Sequence, residues 1–439
     1  MTARYQLPES LLSRPLESVI FRALRTVIGK QPAIGITVSG TPKKPLWVRL
    51  KEIDLGKVVE FVKGDSRRIL EGKHQVGFSW GELPLWRVVV TPEDEENSQR
   101  IEVGFFIHHA VGDGKSGFAF HLDFLDALNA QSSVEEEGNP GTMVQVPKLD
   151  LVPSIEEAHS LPLSYWFIAS QIIKLILPKS KDKEHWTGAP IRSERNITHL
   201  RLLYLPSSIL NSLLQQCRQH NVTLTALLTL TIARALAKVF TNYTRFSCSC
   251  AMSFRRFTGT GDRAMCVYVS SYTHKFSTNS SGGYIPCEVF SWEAIRTCFN
   301  EIQSATASPA NQQVGLLKFA DNYEAFFKGK VGKEREHSFE VSNVGVFHLD
   351  ERREGGSKDG VKVDRILFSQ GSNVISAGLV FSVASVRGGD LGIGMSWQED
   401  VVEKGDAEKV LRELEAELRE LATEGEDTPD HTISMTGNE

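Results

Sequence analysis

The run His108-His109-Ala110-Val111-Gly112-Asp113-Gly114 lies between two segments of different periodicity. Residues 101–107 alternate apolar and other side chains, which predicts a β-strand. Residues 118–128 repeat apolar side chains every three or four positions, which predicts a helix. The run is therefore predicted to form a strand-to-helix turn, where a side chain is held rigidly and can still be reached by a substrate.

His109 and Asp113 are the residues of this run that can carry chemistry. An imidazole titrates near neutrality, so it can take a proton from a hydroxyl or amine nucleophile, and such help is worth about 10²–10⁴-fold in rate. Gly112 and Gly114 suit a tight turn or a close approach of the backbone. Asp113 is too near His109 in sequence to be taken automatically as a triad member, and pairing with an arginine is the alternative role.

Other functions of the same run are less well supported. A histidine and an aspartate can bind metal, but adjacent histidines on an extended chain point to opposite sides, and no third group of ligands is evident. Gly114-Lys115-Ser116 resembles the end of a phosphate-binding loop, yet His109 occupies the position that requires glycine. No Gly-x-Ser-x-Gly elbow of a hydrolase occurs. A lone histidine at a strand end is usually structural, whereas the complete run favours catalysis.

Length and composition restrict the class of protein. A chain of 439 residues predicts two or three domains or two fused lobes. A net charge of -5 gives no sign of a nucleic-acid partner. The six cysteines have no zinc or disulfide spacing, so we expect buried thiols in a reducing compartment. The N-terminus has no apolar signal segment, and we expect a cytoplasmic protein.

The remaining periodicities predict an α/β chain in two halves. We predict an N-terminal lobe over residues 1–180, a linker near 179–197, a C-terminal lobe over 198–422 and a disordered acidic tail over 423–439. The residues 131–147 are predicted to be a loop. The predicted helices are 8–28, 57–70, 161–177, 207–217, 224–240 and 406–421, and the predicted strands are 33–38, 46–50, 85–90, 101–107, 198–205, 245–252, 340–347, 377–386 and 391–397.

The segment from Leu161 to Pro178 is the most membrane-like part of the chain. It is marginal in length for a span and contains Lys174, so a buried or surface amphipathic helix is the favoured interpretation. Peripheral membrane contact through Trp166, Phe167 and Ile168 is the less favoured alternative.

The run at 108–114 resembles the HHxxxDG signature of CoA-dependent acyltransferases, which include chloramphenicol acetyltransferase, plant BAHD acyltransferases and peptide-synthetase condensation domains. The chain is most similar to the fungal alcohol acetyltransferase group. Weaker likenesses are Pro45–Leu50, Pro84–Arg87, Ser342–Gly345 and the strand Leu391–Trp397. The resemblance implies two similar α/β lobes of the chloramphenicol acetyltransferase type, with an active-site tunnel between them.

The resemblance also implies roles for the residues of the motif. His109 is then the general base, and Asp113 belongs to the catalytic motif as a structural residue that pairs with an arginine. Arg255, at the end of a predicted strand of the second lobe, is the first candidate for that partner, and Arg256 is the second. His108 and Gly114 are assigned to the substrate site.

Ser342 and Asn343 could donate hydrogen bonds to a thioester oxyanion, although an ordinary strand interior is an equal alternative. The DFGWG motif of the plant enzymes is absent, and Asp390–Gly394 is no convincing substitute.

The predicted activity is transfer of an acyl group, most simply acetyl, from a CoA thioester to a hydroxyl of a small apolar acceptor. The predicted partners are acyl-CoA as a co-substrate and an alcohol, with no permanently bound cofactor, no metal, no nucleic acid and a monomeric chain. Two alternatives remain: a freestanding condensation-type enzyme with a carrier-protein donor, and a non-catalytic binding protein of the same fold.

Overall fold

The computed structural model describes residues 1–41, 44–93, 99–132, 138, 140–176, 182–192, 196–279, 282–319, 322–348 and 360–424. Two large sheets organise these residues, one of five strands and one of seven. Each sheet packs against its own helices around its own large apolar core. The α/β fold predicted from the sequence is confirmed.

The strands are β1 (Thr2–Gln6), β2 (Ile36–Thr41), β3 (Lys44–Arg49), β4 (Glu52–Asp54), β5 (Val59–Phe61), β6 (Trp86–Pro92), β7 (Arg100–Ile107), β8 (Met143–Gln145), β9 (Thr198–Leu205), β10 (Arg245–Ser253), β11 (Val269–Ser277), β12 (Ile285–Pro286), β13 (His337–Phe347), β14 (Lys362–Leu367), β15 (Ala377–Val386) and β16 (Leu391–Gln398). The first sheet has the order β14-β1-β7-β6-β5, and the second has the order β12-β11-β10-β13-β15-β16-β9. Two small ribbons pair β2 with β3 and β4 with β8.

The helices are α1 (Glu9–Leu12), α2 (Leu16–Lys30), α3 (Leu55–Val58), α4 (Ser66–His74), α5 (Gly114–Ser132), α6 (Ile155–Ala158), α7 (Tyr165–Ile176), α8 (Ser207–Gln219), α9 (Leu224–Val239), α10 (Arg255–Thr258), α11 (Trp292–Thr306), α12 (Tyr323–Lys328) and α13 (Lys404–Glu424). Two 3-10 helices span Pro32–Gly35 and Gln313–Phe319. Helices α2 and α5 pack together on the first sheet, and α8, α9, α11 and α13 pack on the second.

The first sheet positions the HHxxxDG run. Strands β6 and β7 are antiparallel, and β7 is central because β1 lies on its other side. The ring of Phe105 in β7 stacks on that of Phe120 in α5, with centroids 3.8 Å apart. This contact fixes α5 on the sheet, so both ends of the turn that carries the run are anchored.

The predicted helix over 57–70 is wrong in its first half. Helix α3 ends at Val58, and β5 pairs in parallel with β6, where Val59 aligns with Val88. Helix α4 begins only at Ser66, after the Asp65 carboxylate accepts a hydrogen bond from the Arg68 N–H. The apolar run is short and rich in β-branched valine, so pairing with a sheet edge outweighs its helical spacing.

Strand β14 comes from the C-terminal half of the sequence but pairs with β1 in the first sheet. The division of the chain at residues 180–198 stays a prediction, and β14 is the segment that crosses it. The tail beyond Glu424 lies outside the described residues, as do 133–137 and 139 of the predicted loop 131–147. Within that loop, β8 forms a short strand that the sequence analysis missed.

No single helix of the described segments has both the length and the hydrophobicity needed to cross a bilayer. Helices α8 and α9 together are long and apolar enough by length and composition only, and they meet at an angle of 105°. Helix α9 is apolar on nearly all sides and lies in the core that covers the second sheet.

A buried histidine makes the fold sensitive to acid. His121 in α5 is fully buried, with Nδ1 2.8 Å from the Tyr5 hydroxyl, and burial lowers its pKa to about 3. The unfolded chain takes up this proton near the ordinary pKa of about 6.5, so stability falls as pH drops from there towards 3.

We expect His121→Asn, in which the amide can replace Nδ1, to flatten the dependence of unfolding free energy on pH by up to about 1.4 kcal/mol per pH unit in this window. Urea unfolding between pH 4 and 7 measures the slope. The exposed His348 provides the matched control, because His348→Asn should leave the slope unchanged. An unaltered slope in His121→Asn would contradict the assignment.

Candidate active site between the two sheets

The HHxxxDG run forms a tight turn between β7 and α5. The His108 N–H donates to the Leu85 carbonyl over 2.9 Å, which continues the pairing of the strand by one residue. The Val111 N–H then donates to the His108 carbonyl over 3.0 Å and reverses the chain. Helix α5 begins at Gly114, so the strand-to-helix placement predicted for the run is confirmed.

His109 lies at the tip of this turn and its side chain is exposed. Within the described part of the chain, its imidazole makes no hydrogen bond. The carboxyl of Glu340 in β13, a strand of the second sheet, interacts electrostatically with it. The imidazole is therefore free to contact a bound molecule.

His108 has a different environment. Its Nδ1 accepts a hydrogen bond from the Ala110 N–H over 3.1 Å, and its ring meets Phe78 and Trp80 edge-on at 5.9 and 6.4 Å. Burial and the neighbouring His109 lower the pKa of His108. These contacts hold the His108 ring in the turn, packed against the side chains of Phe78 and Trp80.

Asp113 forms a buried, two-bonded ion pair with Arg255. The Arg255 guanidinium donates to Oδ2 over 2.7 Å and to Oδ1 over 2.9 Å, and the two residues are 5% and 3% exposed. Burial alone would lower the pKa of Arg255, but hydrogen bonding to Asp113 and its negative charge raise it. Of the two arginines considered from sequence, Arg255 makes this contact, whereas Arg256 is exposed and lies over the ring of Phe257.

The rest of the Asp113 carboxylate is also occupied. Oδ1 accepts hydrogen bonds from the N–H and the hydroxyl of Ser116, so Asp113 caps the first turn of α5. Oδ2 accepts a hydrogen bond from the Tyr268 N–H. The Ser116 hydroxyl in turn bonds the Cys266 backbone. Asp113 thus ties α5 to the segment that follows α10, and its oxygens are not directed at His109. No sequence signal could identify the backbone groups of Cys266 and Tyr268.

Strand β13 directs Ser342 and Asn343 to opposite faces. Side chains alternate along a strand, so Glu340, Ser342 and Val344 share one face. Glu340 interacts with His109 and Val344 abuts Gly114, which places Ser342 between them on that face. The Asn343 amide instead donates to Thr225 Oγ1 in α9 over 3.0 Å and accepts the Gly345 N–H.

Glu340 is a site residue to which the sequence analysis assigned no role. Its carboxylate accepts a hydrogen bond from the Asn373 amide over 2.9 Å. Burial raises the pKa of Glu340, while Asn373 and His109 act to lower it. The available signal was an acidic residue of a predicted strand, between the apolar side chains of Phe339 and Val341, because carboxylates are rarely buried without a reason.

Gly114 is required by close packing between the sheets. A Cβ at this position would overlap Val344 Cγ1 and lie 3.2 Å from Phe368 Cζ. We expect Gly114→Ala to destabilise the fold by about 1–3 kcal/mol and to lower activity, since α5 must shift. Urea unfolding and an activity assay on the same sample measure both effects.

Two variants control for the Gly114→Ala result. Adding Val344→Ala should recover part of the loss, because it removes the overlapping methyl group. Gly72→Ala in α4 has nothing within 4 Å of its new Cβ and should be neutral or stabilising. Equal stability of Gly114→Ala and the parent would contradict the packing argument.

Among the described residues, no group of three or more histidine, cysteine or acidic side chains could hold a metal ion. The six cysteines are all free and buried, as the sequence predicted for their side chains.

The family model for alcohol acetyltransferases matches residues 72–418, which include the motif, Arg255 and β13. The chain belongs to the alcohol acetyltransferase family. It is 28% identical to a probable alcohol acetyltransferase of Aspergillus fumigatus, and the match covers 93% of this chain and 92% of that protein. Membership in this family supports acyltransferase activity.

Solved structures of low sequence identity share the fold. The trichothecene 15-O-acetyltransferase of Fusarium sporotrichioides superimposes with a TM-score of 0.67 at 13% identity, over 96% of this chain and 89% of that one. The condensation domain of the Monacolin K polyketide synthase gives a TM-score of 0.61 at 12% identity, over 96% and 92%. The alcohol acetyltransferase family member described here therefore has the two-lobed fold of condensation domains.

Proposed function

We propose that the protein transfers an acetyl group from acetyl-CoA to the hydroxyl of a small apolar alcohol, with His109 as the general base. The observation that carries the proposal is the contrast within one turn. The imidazole of His109 is exposed between the two sheets and makes no hydrogen bond to the described residues, whereas every contact of Asp113 holds the structure together.

His109 accepts the hydroxyl proton as the alcohol oxygen attacks the thioester carbon. When the tetrahedral intermediate collapses, the carbon–sulfur bond breaks and the imidazolium returns its proton to the thiolate, which gives the ester and free CoA. Both substrates are held together, so no acyl-enzyme is needed. The chain requires no metal for these steps.

Two side chains of β13 stabilise the charges that form on the oxyanion and on the imidazolium. The Ser342 hydroxyl lies on the face that meets the motif, and we assign it as a donor to the oxyanion. Glu340, as a carboxylate, stabilises the imidazolium of His109. The register of β13 against β15 shifts between Asn343 and Val346, and Asn343 holds this irregular segment through Thr225 and Gly345. Its contribution to the oxyanion is therefore indirect.

The acyl donor distinguishes this function from its main alternative. The fold is shared with condensation domains, so a carrier-protein thioester is the second candidate donor. We would incubate the protein and a panel of apolar alcohols with acetyl-CoA or with an acetylated carrier protein, and analyse products by mass spectrometry. Ester formation with acetyl-CoA is expected. Turnover with the carrier protein alone would select the condensation-type reaction, and binding without product would select the non-catalytic protein.

We further propose that the protein acts as a monomer in the cytoplasm. Six free, buried thiols support a reducing compartment, and two complete cores support a chain that folds without a partner. Size-exclusion chromatography with light scattering tests the monomer.

A further inference from the structure

Helix α7 exposes its apolar side chains. Tyr165 is 91% exposed, Trp166 87% and Ile176 73%, and Ile172 and Ile173 are about half exposed. At 3.6 residues per turn, these five positions lie within an arc of about 120°. A surface helix ordinarily directs such a stripe at the core, so the amphipathic pattern of α7 is reversed.

The orientation of α7 is set by contacts at its N-terminal end. The Ser164 N–H donates to Asn311 Oδ1 over 2.7 Å, and the Asn311 N–H donates to the Pro162 carbonyl over 2.8 Å. Lys174, further along the helix, lines a polar cavity together with Tyr272. The exposed stripe therefore does not result from a helix that lacks attachment.

The 3-10 helix Gln313–Phe319 and α12 expose further apolar side chains. Lys318 Nζ donates to the carbonyl of Leu161, in the segment that precedes α7, over 3.2 Å, and the Tyr323 hydroxyl donates to the Leu317 carbonyl over 3.1 Å. These bonds attach the 3-10 helix to the segment before α7, and α12 to the 3-10 helix. The large exposed apolar side chains of the 3-10 helix and α12, which with those of α7 we call the apolar face, are Leu317, Phe319, Tyr323, Phe326 and Phe327.

The segments that carry the apolar face have a positive charge balance. Within residues 165–176 and 313–336, six side chains are basic and four are acidic. Two of the lysines are paired, Lys328 with Glu324 and Lys330 with Glu336. The whole chain, by contrast, has a net charge of -5. An excess of basic side chains beside an apolar surface complements a surface that is apolar inside and negative outside.

We propose that the apolar face docks on an anionic lipid bilayer. Tryptophan and tyrosine prefer the boundary between head groups and acyl chains, where an apolar ring and a polar edge are both accommodated. A basic, apolar-faced helix binds in that plane, and lysines near the surface are attracted to acidic lipids. The exposure of Trp166 supports peripheral membrane contact, which the sequence favoured less than a buried or surface amphipathic helix. The contacting residues beside Trp166 are Ile172, Ile173 and Ile176, because Phe167 and Ile168 are partly buried.

Flotation of the full chain with vesicles tests the proposal independently of catalysis. We expect the protein to float with vesicles of phosphatidylcholine and phosphatidylglycerol. Flotation should weaken as salt is raised, because charge attraction is screened. The double variant Trp166→Ser with Ile173→Ser should bind at least about tenfold less, since both side chains would lose their lipid contact.

The matched control is Trp47→Ser, which removes a 43% exposed tryptophan from the β2–β3 ribbon and should float like the parent. All variants change exposed side chains, and circular dichroism verifies their folding. Absence of flotation with acidic vesicles, or equal flotation of the double variant, would overturn the proposal. Dimerisation that depends on Trp166, without flotation, would instead assign the apolar face to a second copy of the chain.

Discussion

Replacing His109 by alanine is expected to lower the turnover number by about 10²–10⁴-fold and to leave the fold intact. The loss follows because no other described group at the turn is placed to take the hydroxyl proton: Asp113 is bound to Arg255. The fold should persist because the imidazole is exposed and forms no hydrogen bond with the described residues. Release of CoA, followed with a thiol reagent, measures turnover, and a thermal melt measures the fold.

The control for this variant is His348→Ala, which removes another exposed histidine and should retain full activity. His108→Ala separates the two histidines of the motif, because His108 packs on Phe78 and Trp80. It should affect substrate affinity or stability more than the chemical step. Near-normal turnover in His109→Ala would refute the assignment of the base.

Breaking the Asp113–Arg255 pair is expected to be the most destabilising polar substitution in the motif. Asp113→Asn leaves the guanidinium of Arg255 buried without a counter-charge, and removal of one partner from a buried pair typically costs about 3–5 kcal/mol. The pair joins α5 of the first sheet to α10, which follows a strand of the second. Urea unfolding measures the loss, and activity should fall because the turn loses its support.

An exposed ion pair offers a comparison within the same chain. Glu324 and Lys328 form an i,i+4 pair in α12, and Glu324→Gln should cost less than about 1 kcal/mol because solvent screens such pairs. If Asp113→Asn instead abolishes turnover while stability and substrate affinity stay normal, Asp113 acts in the chemistry and the structural role proposed for it is wrong.

Local patterns predicted most of the elements around the site because their signals agree over many residues. The alternation of 101–107 and the helical repeat of 118–128 correspond to β7 and α5. The predicted strands at 377–386 and 391–397 and the final helix are also present. The pattern failed at 57–70, where pairing with β6 turned three residues into a strand, and it gave no sign that β14 joins β1. Such pairings depend on residues far away in sequence.

The residues of the site also fall into those that local spacing identified and those that it could not. Spacing within the motif was sufficient to identify His109, Asp113 and the glycines as residues of one turn. It could not show that Asn343 of β13 is bound to Thr225 of α9. It also could not detect the interaction of Glu340 with His109, because the two residues are brought together only when the sheets pack.

The sequence by itself determined the strand-turn-helix that carries the HHxxxDG run and the class of chemistry that its imidazole can perform. Both depend on neighbouring residues, whose periodicity and spacing are local properties. Only the tertiary structure decided that Arg255 neutralises Asp113, that Glu340 interacts with His109, and that the apolar stripe of α7 points outward. These depend on which surfaces are buried against each other, and burial is a property of the whole packed chain.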